Sequence, residues 1–267
     1  MSKVILITGA SSGIGKAIAE YLHSNGYIVY GTSRNPKKVK DVTFSMISLD
    51  VLNVASITDA VSEVINNEGR IDVLINNAGR GLMGAMEDIP MDELKAGFNT
   101  NFFGPIDVMK KVLPHMRNQK SGLIINITSL AAYSGLPFRS AYSASKGAFE
   151  LLTESLSMEV KNFGVNVTSI APGSFATSIS AGRYYTPVFE DSPYKDSYSK
   201  NLQVSDDYVD EGMNPVIIAK LVHKIINTKK PKLHYKVGAF MERFSVFLKR
   251  ALPDRVYEKL IMNHYKL

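Results

Sequence analysis

The first fifteen residues constrain the fold more than any other stretch. Residues 3–8, Lys-Val-Ile-Leu-Ile-Thr, form a short, almost wholly apolar run, the pattern of a strand buried on both faces. Gly9-Ala10-Ser11-Ser12-Gly13-Ile14-Gly15 follows at once, and residues 16–22 then take on a helical pattern. Strand, glycine-rich turn and helix in that order make the context a phosphate cradle requires. The glycines let the backbone approach a pyrophosphate, and the helix N-terminus offers free N–H groups. The spacing is Gly-x-x-x-Gly-x-Gly, distinct from the Gly-x-Gly-x-x-Gly of the commoner dinucleotide turn. A tight turn without a ligand fits three glycines and two serines poorly.

A second constellation lies near mid-chain. Tyr142 and Lys146 are four residues apart in Ala-Tyr-Ser-Ala-Ser-Lys-Gly-Ala, and Ser129 lies 13 residues before the tyrosine. On a helix, positions i and i+4 share a face, so the ammonium can stand beside the phenol. A neighbouring cation favours the phenolate, which suits the tyrosine to proton transfer with a carbonyl or alcohol oxygen. Ser129 can hydrogen-bond that same oxygen. Taken alone, the pair equally describes a tyrosine packed under a lysine stem.

Strands and helices alternate through the rest of the chain. Strands are expected at 27–32, 43–49, 71–75, 122–128, 165–170 and 233–237. Helices are expected at 53–67, 91–117 with a break near Gly104-Pro105, 141–163 and 215–227. Such alternation predicts an α/β fold, a doubly wound, Rossmann-like parallel sheet with helices on both faces. Its ligands bind beyond the carboxyl ends of the strands. Asp50, Asn77, Ser129 and Gly173 all fall just past strand ends and are expected to converge there.

Thr8–Gly15, Asn76-Asn77-Ala78-Gly79, Asn101, Ser129, Tyr142, Lys146 and Pro172-Gly173 occur in order, and together they resemble the short-chain dehydrogenase/reductase family. The likeness is close over residues 3–177. It implies an oxidoreductase that interconverts a carbonyl and an alcohol with a nicotinamide cofactor. Asn101, Ser129, Tyr142 and Lys146 match the catalytic set. Asn101 is expected to hold, through its main chain, a water that relays protons from Lys146. Gly9, Ser11, Ser12, Gly13, Ile14 and Gly15 match the pyrophosphate turn, and Asp50 with Val51 the adenine contact. Asn77, Ala78 and Gly79 match the adenosine side, while Pro172, Gly173, Phe175 and Thr177 match the segment at the nicotinamide carboxamide. Tyr142 and Lys146 also contact the nicotinamide ribose in this scheme. At the end of the second strand Ser33 fills the position that is acidic in NAD-specific members, and Arg34 follows it. An aspartate would repel a 2′-phosphate; serine can bond one and arginine can grip it, so NADP(H) is expected rather than NAD(H).

Length fits a single domain over residues 1–267, with a substrate lid at 174–214 and a C-terminal helical extension at 238–267. Residues 174–200 lack clear periodicity and are rich in aromatics, which suggests a lid over an apolar pocket, or else packing at a subunit interface. Leu130, Tyr133, Leu136 and Phe138 are expected to line that pocket. The substrate class implied is a lipid-, steroid- or retinoid-like ketone or aldehyde rather than a sugar. A non-catalytic NADP(H)-binding redox sensor is the alternative, although such a sensor has no need of Ser129 and Tyr142. The family's habit of pairing through its long helices implies a homodimer or homotetramer.

Composition narrows the rest. No cysteine is present, which excludes disulfides, thiol catalysis and thiolate metal sites. The five histidines lack ligand spacing, so no metal is expected. Nothing at the start reads as an export signal, and the expected location is cytoplasmic. The formal charge of +6 comes with no nucleic-acid motif. Phe240, Phe244, Phe247, Leu248 and Leu252 recur at helical spacing among Arg243, Lys249 and Arg250. This basic amphipathic segment is expected to pack on its own core or on a subunit rather than on a membrane.

Overall fold

The computed structural model describes residues 2–176, 183–210 and 212–267; Thr177, expected at the nicotinamide, lies outside them. The apolar run at the start forms β1 (Val4–Ile7), and the glycine turn leads into α1 (Gly13–Ser24). β2 (Ile28–Ser33), β3 (Ser45–Ser48), α2 (Val54–Glu68) and β4 (Val73–Asn76) follow. Next come β5 (Leu82–Met83), α3 (Met91–Phe98), α4 (Gly104–Gln119), β6 (Gly122–Ile127) and α5 (Ser140–Glu159). The chain continues through β7 (Val165–Pro172), β8 (Tyr184–Tyr185), α6 (Lys195–Asp210), α7 (Val216–Ile226) and β9 (His234–Val237). It ends in α8 (Phe240–Ala251) and α9 (Asp254–His264).

Seven strands make one parallel sheet in the order β3-β2-β1-β4-β6-β7-β9. Burial on both faces explains why central strands such as β1 and β4 read as apolar runs. On one face Ile57, Val61, Val64, Val112, Met116 and Phe149 from α2, α4 and α5 fill the core. On the other, Ile18 and Leu22 of α1 meet Ile218, Val222 and Ile225 of α7. Strand order runs outward from β1 through β2 to β3, then restarts at β4 on the opposite side. Between the carboxyl ends of β1 and β4 the sheet therefore opens a crevice, the usual seat of a ligand in such sheets.

The break expected near Gly104-Pro105 in the 91–117 helix falls immediately before them. Residues 99–103 form one π-helical turn, closed by the Gly104 N–H donating to Asn99 O. Pro105 opens α4, where its missing N–H costs nothing. The segment read as aperiodic holds β8, which pairs with β5, and the helix α6. Its buried face shows why periodicity failed: Asn201 and Ser205 are fully buried there beside Tyr198 and Val204. A helix that buries polar side chains leaves little hydrophobic period to read.

Candidate active site

β1 delivers the glycine turn to the crevice. Gly9 and Gly13 have φ of 68° and 56°, a left-handed backbone that glycine adopts without strain. A Cβ on Gly15 would lie 2.3 Å from Gly9 O and 2.4 Å from Asn77 Nδ2, so α1 can close on the turn only with glycine there. Asn77, just past β4, locks the arrangement: its Nδ2 donates to Thr8 O at 3.0 Å and Gly9 O at 2.9 Å. Thr8 Oγ1 accepts from the N–H groups of Asn77 and Ala78, both at 3.0 Å. Ser12 precedes α1 in an extended conformation and makes no side-chain cap. The first N–H groups of α1 therefore face the crevice without a side-chain acceptor, and the turn's geometry fits a dinucleotide pyrophosphate.

One cavity of about 470 Å³ adjoins this turn and is lined by Ser129, Tyr142 and Lys146 together with Ile14, Asn77 and Gly79. Pro172, Gly173 and Phe175 also line it. β6 ends just before Ser129, and α5 places Tyr142 and Lys146 one turn apart. Ser129 Oγ accepts from the Ala131 N–H at 3.1 Å, which leaves its own O–H to donate into the cavity. Lys146 is buried, and its Nζ donates to Ile127 O at 3.0 Å. Burial pushes the Lys146 ammonium below the usual lysine range, while nearby Tyr142 and Glu150 work in the opposite direction.

Asn101 sits in the π turn and does not line the cavity. It is buried, with Oδ1 accepting from Arg80 N at 2.7 Å and Nδ2 donating to Arg80 O and Ser145 Oγ. A Cβ on Gly79 would lie 3.3 Å from Asn101 Oδ1 and 3.5 Å from Lys146 Nζ, so these two groups share one corner. Asn76 lies apart: its Nδ2 donates to Asn126 Oδ1, whose Nδ2 donates to Thr153 Oγ1, a buried ladder tying β4 and β6 to α5.

Where the adenosine is expected, Ser33 closes β2 and the exposed Arg34 follows it. No ion pair engages Arg34 among the described residues, and Lys37 and Lys38 are exposed beside it. Ser11 and Ser12 are exposed on the turn. Asp50 Oδ1 accepts from the Leu52 N–H, which fixes the carboxylate at the end of β3. Val51 is buried, and a Cβ on Gly104 would meet its atoms at 3.0 Å. Its packing against α4 is established by that contact.

Of the four side chains expected to line the substrate pocket, Leu130 and Leu136 do so. Tyr133 and Phe138 do not. Tyr133 turns its hydroxyl to Glu150 Oε1 at 2.5 Å, and Phe138 packs on Tyr194 and Tyr198 with ring centroids 6.5 and 5.3 Å away. Tyr198 in turn donates to Met83 O and Thr186 O, a structural role rather than a pocket-lining one. The wall that the sequence missed comes from α8 and α9: Met241, Ser245, Leu248, Tyr257, Leu260 and Ile261. A sequence gives no sign that a C-terminal hairpin folds back over a site made some hundred residues earlier.

Glu150 is a second missed residue. It lies one turn after Lys146, is buried, and gathers three neighbours on Oε1: Tyr133, Ser169 Oγ at 2.5 Å and His234 Nδ1 at 2.6 Å. Burial first, then the bond to Glu150, pushes the Tyr133 phenol far above its ordinary range, so it remains a donor.

The short chain dehydrogenase family profile matches residues 3–186. A 3-ketodihydrosphingosine reductase of Bacteroides thetaiotaomicron is 38% identical, over 99% of this chain and 98% of its own length. The crystal structure of a short-chain dehydrogenase from Streptomyces avermitilis superposes with a TM-score of 0.84 at 33% identity, covering 97% of this chain and 95% of that one. ElxO with NADP bound superposes with a TM-score of 0.72 at 27% identity, covering 88% and 98%. With the turn, the seven-stranded sheet and the Ser129–Tyr142–Lys146 cavity in place, these matches make the chain a member of the short-chain dehydrogenase/reductase family of oxidoreductases.

Proposed function

We propose that this protein is an NADP(H)-dependent reductase that converts the carbonyl of an apolar, long-chain ketone or aldehyde into an alcohol. The observation that carries the reading is the single cavity shared by Ser129, Tyr142 and Lys146 beside the uncapped N-terminus of α1. Gly9–Gly15 would hold the pyrophosphate, Asp50 the adenine, and Ser33 with Arg34 the 2′-phosphate. The bound cofactor supplies the hydride that reaches the carbonyl carbon. Ser129, whose oxygen is already occupied by an N–H, donates its own hydrogen to the carbonyl oxygen and polarises it. Tyr142 gives that oxygen its proton. Lys146 favours negative charge on the phenolic oxygen, and two of its three N–H donors remain for the nicotinamide ribose. Asn101, at the same corner as Lys146, anchors the proton path out of the site.

Lining by Leu130, Leu136, Leu248, Leu260 and Ile261 favours an apolar substrate, and likeness to a 3-ketodihydrosphingosine reductase favours a long-chain ketone. NADPH oxidation with long-chain 3-keto lipids, steroid ketones and retinal, run against NADH controls, tests the reading. Turnover with NADPH and little with NADH is expected. In Tyr142→Phe, kcat is expected to fall by about 10²–10⁴-fold with NADPH affinity retained; undiminished turnover would remove Tyr142 from the proton step. Arg34→Ala is expected to raise KM for NADPH by about tenfold, the loss of one charge-assisted phosphate contact, and to leave KM for NADH unchanged. The same reading includes a homodimer paired through the outer faces of α4 and α5.

A further inference from the structure

The stripe expected to pack on the protein's own core or on a subunit packs on the core only in part: Leu248 and Leu252 are half-buried, and its three phenylalanines face outward. Phe240, Phe244 and Phe247 are 68%, 38% and 61% exposed. Their rings stack in sequence along α8, with centroids 5.6 and 5.9 Å apart, as one continuous aromatic ridge. Arg243 and Arg250, seven residues apart, share the flank on one side of the ridge. Both are exposed, and neither has an ion-pair partner among the described residues. Met241 and Leu248, also seven apart, share the other flank and line the cavity that holds Tyr142. Met241 is 67% exposed and Leu260 of α9 is 45% exposed, so the cavity wall reaches the surface beside the ridge. Residues 240–267 carry six of the chain's basic side chains against three acidic ones. One of those acids, Glu242, is turned inward, accepting from Ser174 N and Ala239 N at 2.8 Å.

We infer that the α8–α9 face docks on an anionic lipid surface and sets the mouth of the cavity against it. Aromatic and aliphatic side chains would enter the headgroup boundary while the flanking arginines meet lipid phosphates. A second copy of the chain fits this face less well. A two-fold contact brings the same patch against itself, and here it would set unpaired arginines against one another. It would also close the cavity at Met241 and Leu260. Docking lets an apolar molecule pass from bilayer to cavity without crossing water. The docking itself requires no catalysis, so a flotation assay reads it whether or not the proposed substrate class is correct.

The experiment is flotation of the full-length protein with vesicles of phosphatidylcholine alone and with 30% phosphatidylglycerol, about the anionic share at which surface attraction is appreciable. Flotation with the anionic vesicles, weakened by added salt, is expected. Phe240→Ser/Phe247→Ser and, separately, Arg243→Glu/Arg250→Glu are each expected to cut the vesicle-bound to free ratio by about tenfold or more. Neither variant touches a residue of the cavity, and retained NADPH binding shows each to be folded. The inference is overturned if the native protein stays with the soluble fraction in both mixtures. It is also overturned if the serine variant floats like the native protein, or if its solution mass halves while flotation persists, the mark of a contact between copies.

Discussion

At the scale of single residues, the site turns on where charge is held. In the proposed mechanism Lys146 must be an ammonium to favour the phenolate, yet burial opposes its charge and pulls its titration below the usual lysine range. Glu150, one helical turn further on, opposes that pull. The carboxylate is itself fixed by Tyr133, Ser169 and His234, so it cannot swing away. Glu150→Gln keeps an oxygen for the same donors, removes the charge and puts an amide NH2 where the buried Oε2 stands. The sign follows directly: without the carboxylate, Lys146 loses its proton at lower pH, and the alkaline limb of the pH–rate profile is expected to move toward neutrality. A variant with reduced rate but an unmoved limb would assign Glu150 to packing alone. The Tyr142–Lys146 pairing was legible in the sequence as a spacing; the part played by Glu150 was not. A glutamate four residues after a lysine on a helix reads as a solvated ion pair, and only the fold brings Tyr133, Ser169 and His234 from three separate segments to meet it.

At the scale of elements, the turn between β1 and α1 is the most exacting piece of backbone. Gly15→Ala would drive a methyl group against Gly9 O and Asn77 Nδ2. The expected cost is about 1–3 kcal/mol of stability, as for other overpacked positions, with weakened cofactor binding as the turn opens. A chemical-denaturation midpoint beside an NADPH titration checks both; an unchanged midpoint would mean that the turn yields without strain. This element was readable from the chain because its chemistry and its conformation demand the same residues. The central strands were readable for a related reason, since burial on both faces leaves apolar runs such as those of β1 and β4. β5 and β8, two residues each, are too short to leave a pattern. α6 hides because its buried face includes Asn201 and Ser205. For α8 the spacing foretold a helix with an apolar stripe, but periodicity cannot say what a stripe faces, and the three phenylalanines face outward.

At the scale of the whole molecule, α5 works on two sides at once. Its inner face presents Lys146, Phe149, Glu150 and Thr153 to the core and the site. Its outer face exposes Leu151 and Met158, seven residues apart and 64% and 72% accessible, near the exposed Phe163 that follows the helix. Phe103 stands exposed at the start of α4. Leu151 and Met158, large apolar side chains aligned on one of the two helices proposed to pair, with Phe103 and Phe163 just outside them, are what an isologous interface buries. Charges placed there would be desolvated by pairing and repelled by their own copies across the two-fold axis. Leu151→Lys/Met158→Lys is therefore expected to convert the assembly to single chains, read as a halving of solution mass by light scattering. Both positions point away from the sheet, so the isolated chain is expected to keep its fold and its NADPH affinity. An unaltered mass would move the interface elsewhere. If mass halves and kcat falls with it while NADPH binding holds, the partner's role is to brace the helix that carries Tyr142 and Lys146; if kcat holds as well, a single chain contains the whole site.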